Sequence, residues 1–176
     1  MRPNRVKSIG SLTAALGLLL TLMSASPAAA QAPGTRIKNN HSTWCLEIGG
    51  WSTSSGTAAN QWGCTGGDNQ VWVIEQTSEL GLARIVNANS GLCLEIADWR
   101  KDNGAPVRQW NCTGGLNQRW IVPTSDSINY APHEIRNANS GLCMEIGGWS
   151  TEWGTAASQW QCHGGANQQW NYFHFV

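Results

Sequence analysis

Residues 87–120 read NANSGLCLEIADWRKDNGAPVRQWNCTGGLNQRW, and the same frame returns at 137–170 as NANSGLCMEIGGWSTEWGTAASQWQCHGGANQQW. A further copy at 39–72, NNHSTWCLEIGGWSTSSGTAANQWGCTGGDNQVW, makes three, at periods of 48 and 50 residues. Repetition at a period of this size marks one supersecondary unit whose copies share a core. In each unit a Cys opens a Cys-x-Glu-Ile stretch, Gln-Trp-x-Cys follows, and Asn-Gln-x-Trp closes. The first copy carries Thr43 where the other two carry Gly91 and Gly141.

Six cysteines allow fifteen pairings. Equivalent units leave two schemes, one within each unit and one cyclic between units. The within-unit pairs Cys45–Cys64, Cys93–Cys112 and Cys143–Cys162 are each 19 residues apart, whereas the cyclic distances are unequal and one is very long. The within-unit scheme is expected, each loop contributing on the order of 3 kcal/mol by the chain-entropy argument. No Cys-x-x-Cys pair is present, which argues against zinc.

Trp44-Cys45-Leu46-Glu47-Ile48 alternates and is rich in strand formers. Residues 57–62 read as a second strand, with 49–56 as the loop before it and Thr65-Gly66-Gly67 as a turn after it. Asn-Ala-Asn-Ser-Gly is turn chemistry, because Asn and Gly accept left-handed backbone. Beyond residue 30 no stretch keeps an apolar period of about 3.6 residues. Four short strands per unit give about twelve strands and no helix. Such small units cannot each bury a core, so they must close around a common axis, which also removes sheet edges. The expectation is an all-β fold with Trp72, Trp120 and Trp170 meeting in its centre.

The chain has 176 residues, with 11 Lys+Arg balancing 11 Asp+Glu. Trp, at 11, far outnumbers Tyr and Phe at 2 each. Without a basic excess there is no nucleic-acid footprint. Arg2, Arg5 and Lys7 precede an apolar run at 12–23 and then Ser24-Ala25-Ser26-Pro27-Ala28-Ala29-Ala30. This reads as a secretory signal peptide over 1–30, cleaved after Ala30 or, as second choice, after Ala32. Its apolar run is shorter than the ~20 residues of a membrane span. Residues 31–34 would form a short linker and 35–176 one secreted domain, with 8 basic and 11 acidic residues and net charge −3. Export permits disulfides. No loop gathers acids for calcium, and no metal or cofactor is implied.

The Cys-x-acid start, the equal Cys spacing and three Gln-x-Trp endings in phase resemble the ricin-type lectin family. Its fold is the β-trefoil, shared with the family-13 carbohydrate-binding modules, and the resemblance spans 35–176. It implies one sugar site per unit. Trp62, Trp110 and Trp160 fall at the aromatic platform on which a pyranose packs its C–H face, a task suited to a rigid ring. Glu47, Glu95 and Glu145 fall on the acid that accepts from two sugar hydroxyls. The family carries Asp there, and the extra methylene carries the carboxylate ~1.5 Å further, enough to reshape or silence a hydrogen-bonded pocket. Asn69, Asn117 and Asn167 match a sugar-contacting amide, which both donates and accepts. Gln70, Gln118 and Gln168 either support the acid or hold the turn.

The position four before the second Cys varies as Asn60, Arg108 and Ser158. Asn60 is nearest to the family's amide, so the first unit ranks first, the third next, and the second last because Arg108 can pair with Glu95. Trp51, Trp99 and Trp149, six after the first Cys, have no place in the family pattern. They either enlarge the platform or cap their own unit. Trp153 occurs in the third unit only and is expected to serve the third site.

The resemblance therefore implies a stand-alone, secreted, monomeric carbohydrate-binding protein for galactose-, arabinose- or xylose-type sugars, with weak sites acting by avidity. The alternative is a β-trefoil protein-binding module, an inhibitor or toxin accessory, with silent sugar sites; fold alone does not decide. An enzyme is not expected. Glycosidases need two carboxylates in different settings, whereas these Glu residues are copies of one position. His41, His133, His163 and His174 occupy unrelated positions, and no Gly-x-Ser-x-Gly occurs.

Overall fold

The computed structural model describes Met1, residues 34–122 and residues 132–174. Apart from Met1 and Gly34, the expected signal peptide and linker lie outside the described residues. The first repeat holds β1 (Thr35–Asn39), β2 (Cys45–Ile48), β3 (Ala59–Trp62) and β4 (Trp72–Gln76). The second holds β5 (Leu82–Asn87), β6 (Cys93–Ile96), β7 (Val107–Trp110) and β8 (Trp120–Ile121). The third holds β9 (His133–Glu134), β10 (Arg136–Asn137), β11 (Cys143–Ile146), β12 (Ala157–Trp160) and β13 (Gln169–His174). The expected dozen becomes thirteen because Ile135, fully buried, interrupts the opening strand of the third repeat. The only helical pieces among the described residues are three-residue 3-10 turns, two per repeat.

The opening and closing strands of the repeats pair antiparallel in a closed circuit. β1 pairs with β4 and β13, β5 with β4 and β8, β10 with β8, and β9 with β13. The hairpins β2–β3, β6–β7 and β11–β12 branch from β1, β5 and β10. They touch one another through single bridges, Ala58–Arg108, Pro106–Ser158 and Asn60–Ala156. This is a β-trefoil of three repeats, and each repeat carries its own disulfide: Cys45–Cys64, Cys93–Cys112 and Cys143–Cys162.

The core follows the repeat. Ile37, Ile85 and Ile135, then Leu46, Leu94 and Met144, then Ile48, Ile96 and Ile146 are fully buried in one cluster with Trp72, Trp120 and Trp170. Each of these indoles donates from Nε1 at 3.0 Å to the carbonyl of Leu46, Leu94 or Met144, so its polar edge is satisfied inside the core. The three Gln-x-Trp tryptophans are residues of the fold.

Two buried amides join neighbouring repeats. Gln61 Nε2 donates to the carbonyls of Ser150 (3.0 Å) and Glu152 (2.9 Å), Gln109 to Ser52 (3.0 Å) and Ser54 (2.9 Å), and Gln159 to Arg100 (3.2 Å) and Asp102 (3.1 Å). Asn39, Asn87 and Asn137 donate to the carbonyls of Asn167 (3.0 Å), Asn69 (3.0 Å) and Asn117 (2.9 Å), each in the repeat before. The Asn of the turn motif is thus also a clamp.

Thr43 adopts φ +67° where Gly91 and Gly141 adopt +70° and +73°. A β-branched residue is strained there by roughly 1–2 kcal/mol, and the Thr43 side chain is exposed. Thr43→Gly is expected to stabilise the domain by about 1 kcal/mol after the entropic cost of glycine. Thermal unfolding with disulfides intact should show a rise of about 3 °C.

Candidate functional site

Each Glu sits on the second strand of its repeat, directly across from the variable position. Glu47 opposes Asn60, Glu95 opposes Arg108, and Glu145 opposes Ser158. Cross-strand partners stand about 5 Å apart at Cβ, so the variable residue decides what faces the carboxylate. All three carboxylates are buried. Burying such a group without donors is costly, and two amides supply them. Glu47 Oε2 accepts from Asn69 Nδ2 (3.3 Å) and Gln70 Nε2 (2.9 Å). Glu95 Oε2 takes the same pair from Asn117 (3.2 Å) and Gln118 (2.9 Å), and Glu145 Oε2 from Asn167 (3.3 Å) and Gln168 (3.1 Å).

Both readings of the glutamine are realised. Gln70 Nε2 also donates to the Gly63 carbonyl (2.8 Å), and its Oε1 accepts from Thr65 N (2.8 Å); Gln118 and Gln168 repeat this. The asparagines turn Nδ2 inward, donating also at 3.1 Å to the carbonyls of Ile48, Ile96 and Ile146. Their Oδ1 atoms are buried without a partner, as is Asn60 Oδ1.

Beside each carboxylate opens a cleft between two indoles. Trp62, Trp110 and Trp160 form one wall and are 38%, 36% and 43% exposed. Trp51, Trp99 and Trp149 form the other, each in left-handed backbone (φ +54° to +57°) after a residue that is also left-handed. Strain of this kind gathers where a ligand is held. A Cβ on Gly67 or Gly115 would come within 2.6 Å of the Trp51 or Trp99 ring, so only glycine lets those rings lie down. These tryptophans line the clefts in all three repeats.

The clefts differ in size: 370 Å³ in the third repeat, 260 Å³ in the first and 170 Å³ in the second. The third has the smaller Ser158 where the first has Asn60. The second is narrowed by Arg108, which donates to Glu95 Oε1 and Asp98 Oδ1, both at 2.9 Å, and lies 4.5 Å from the Trp110 ring centroid. Burial alone would lower the Arg108 pKa, but hydrogen bonds to Glu95 and Asp98 outweigh it and hold the pKa above its usual value. Both Glu95 oxygens are therefore taken. Glu47 and Glu145 use Oε2 and keep Oε1 beside Gly49 and Gly147 in the cleft.

Two residues escaped the sequence reading. His163 lines the third cleft, where Thr65 and Thr113 follow the second Cys of the other units. Its Nε2 lies 3.8 Å from Glu145 Oε2, and its ring stacks on Trp149 at 6.2 Å. His41, from the first repeat, meets the same indole edge-on at 5.1 Å. The position directly after the second Cys was the available signal. Trp153 is a correction: it packs on Trp62 of the first repeat instead of serving the third cleft, because its loop reaches across to the neighbouring hairpin.

The one metal-type grouping among the described residues, Glu134 with Cys143 and Cys162, spends both sulfurs on a disulfide. Among the described residues no helix is long and apolar enough to cross a membrane.

Fold and clefts together define a β-trefoil with one aromatic–carboxylate cleft per repeat. The chain belongs to the ricin-type beta-trefoil lectin domain-like family, whose profile matches residues 26–110, 68–132 and 116–175. It is similar to ThreeFoil, a designed three-fold symmetric protein, at 29% identity and TM-score 0.73, over 79% of this chain and 96% of that one. It is similar at 28% identity and TM-score 0.74 to 1,3Gal43A, an exo-β-1,3-galactanase from Clostridium thermocellum, over 81% of this chain but only 30% of that enzyme. The C-half of the earthworm R-type lectin in complex with GalNAc shares the fold, at 18% identity and TM-score 0.63, over 81% and 99% of the two chains. No curated protein matches the sequence.

Removing the carboxylate should separate support from charge. Glu145→Ala takes one of the two acceptors from each of Asn167 Nδ2 and Gln168 Nε2 and is expected to cost on the order of 3 kcal/mol. Glu145→Gln keeps an acceptor oxygen and should cost about half as much, read as the difference in thermal unfolding midpoint.

Proposed function

We propose that this chain binds carbohydrate through its repeat-borne clefts and catalyses no reaction on it. The observation that carries the reading is the exposed indole beside a buried carboxylate in every repeat, with Oε1 open to a hydroxyl donor in the first and third. A carboxylate oxygen accepts charge-assisted hydrogen bonds, and a flat ring packs the apolar face of a pyranose. Each cleft offers one such buried carboxylate in a shared setting, which suits binding and not the paired acids of glycoside hydrolysis.

Galactose-, arabinose- or xylose-type sugars on polysaccharides or glycans are the proposed ligands. The likeness to part of a β-1,3-galactanase and to a GalNAc-bound lectin supports the galactose type. Three modest sites on one rigid frame would gain from avidity on a polymer. The basic start and apolar run before Ala30 support export, and the first residue of the secreted, monomeric form is then Gln31.

Native gels cast with galactan, arabinoxylan, xylan or no polymer test the reading. Retardation by one polymer, relieved by its free sugar, is expected. The triple variant Trp62→Ala, Trp110→Ala, Trp160→Ala should run freely in every gel while unfolding within a few degrees of the parent, since these rings are over a third exposed. An intact protein that no polymer slows overturns the proposal.

A further inference from the structure

The three junctions between repeats are built differently at one point. The residue before the loop glycine is Ser55, Asn103 or Trp153, and each reaches the hairpin of the next repeat. Ser55 Oγ donates to Asn111 Oδ1 at 3.3 Å, and Asn103 Oδ1 accepts from Gln161 N at 2.9 Å. Trp153 instead lies against Trp62, ring centroids 5.1 Å apart and planes inclined by 39°. Trp44 meets Trp153 edge-on at 5.6 Å and donates from Nε1 to the Thr151 carbonyl at 2.8 Å, which holds the loop in place. Gly63 stands where the other repeats have Asn111 and Gln161, and a Cβ there would come within 3.3 Å of the Trp153 ring.

At this point the other two junctions each use one hydrogen bond. At this one the contact is an indole left 54% exposed, touching the exposed platform of the first cleft. Trp62 therefore faces Glu47 and Asn60 in its own cleft while adjoining a second open ring outside it.

We infer that Trp153 adds a second sugar subsite to the first cleft, which takes an oligosaccharide of two or more rings where the other clefts take one. The inference rests on the carbohydrate reading above. Two adjoining indoles fit consecutive rings of one chain. Their inclination favours a chain whose successive rings turn relative to one another over a flat ribbon.

The test uses the full chain with Trp110→Ala and Trp160→Ala, which leaves the first cleft as the sugar platform. Calorimetric titration would use galactose, arabinose and xylose and their di-, tri- and tetrasaccharides. One series should bind, with the trisaccharide about tenfold tighter than the monosaccharide. Adding Trp153→Asn, the residue of the second repeat, should bring that ratio to about one. A ratio that survives Trp153→Asn, or an affinity flat with chain length, overturns the subsite and leaves single-sugar binding standing. Failure of every series with the unmutated protein overturns the carbohydrate reading and the subsite with it. The converse variant, Asn103→Trp with Gln161→Gly beside Trp160, should create length dependence in the third cleft when Trp62 and Trp110 are Ala. Its absence there also overturns the inference.

Discussion

Each hairpin loop of this trefoil hangs on a glutamine that belongs to its neighbour. Gln61, Gln109 and Gln159 are fully buried, and each amide nitrogen takes two loop carbonyls of another repeat. A buried amide left without its acceptors would cost about 1–3 kcal/mol, so the loops have a definite place only once the circle is closed. The clefts inherit this. A Cβ on Gly154 would sit 3.7 Å from Trp62, one on Gly56 3.3 Å from Trp110, and one on Gly104 3.9 Å from Trp160. Every platform indole thus rests on a neighbour's loop, and its orientation is fixed before any ligand arrives, which lowers the entropic cost of binding.

The buried glutamates divide their work between two oxygens. Oε2 belongs to the fold, bridging the strand to the Asn-Gln turn through two amides. Oε1 belongs to the cleft, unless Arg108 takes it. This bears on the substitution of Glu for the family's Asp. The longer side chain is drawn into an amide cradle behind the cleft, so its extra reach is used inward. Where the cross-strand partner is Asn60 or Ser158 an acceptor stays open, and where it is Arg108 the repeat has traded it for an ion pair.

Much of this was legible. The period, the Cys spacing and the closing Trp were enough for the trefoil, because equivalent units must share one core and one disulfide pattern. The pairing of Arg108 with Glu95 was legible too, since both lie on adjacent strands of one hairpin. Apart from His163, what was hidden lies mostly between repeats. Sequence spacing places Trp153 with its own unit because spacing reports only on the unit that carries the residue, whereas the loop contacts the next one. His41 was hidden for the same reason. Thr43 was visible as a lost glycine, but its retained left-handed φ was not, since that follows from the turn it shares with two glycine-bearing copies.

Among the described residues the inter-repeat aromatic contacts collect at a single junction, and the connectivity says why. The first repeat runs into the second through the β4–β5 hairpin, and the second continues along the chain into the third. No peptide links the third to the first, which meet through the β1–β13 ladder, the Asn60–Ala156 bridge and other non-covalent contacts. Here His41 meets Trp149, Trp44 meets Trp153, and Trp153 meets Trp62. Rings are suited to this closure because they bury large area at little rotamer cost. A ring that closes a junction at the surface also leaves its outer face open. The same non-covalent closure that completes the fold therefore places an extra indole beside the first cleft, and the repeat symmetry is broken where the chain itself does not cross.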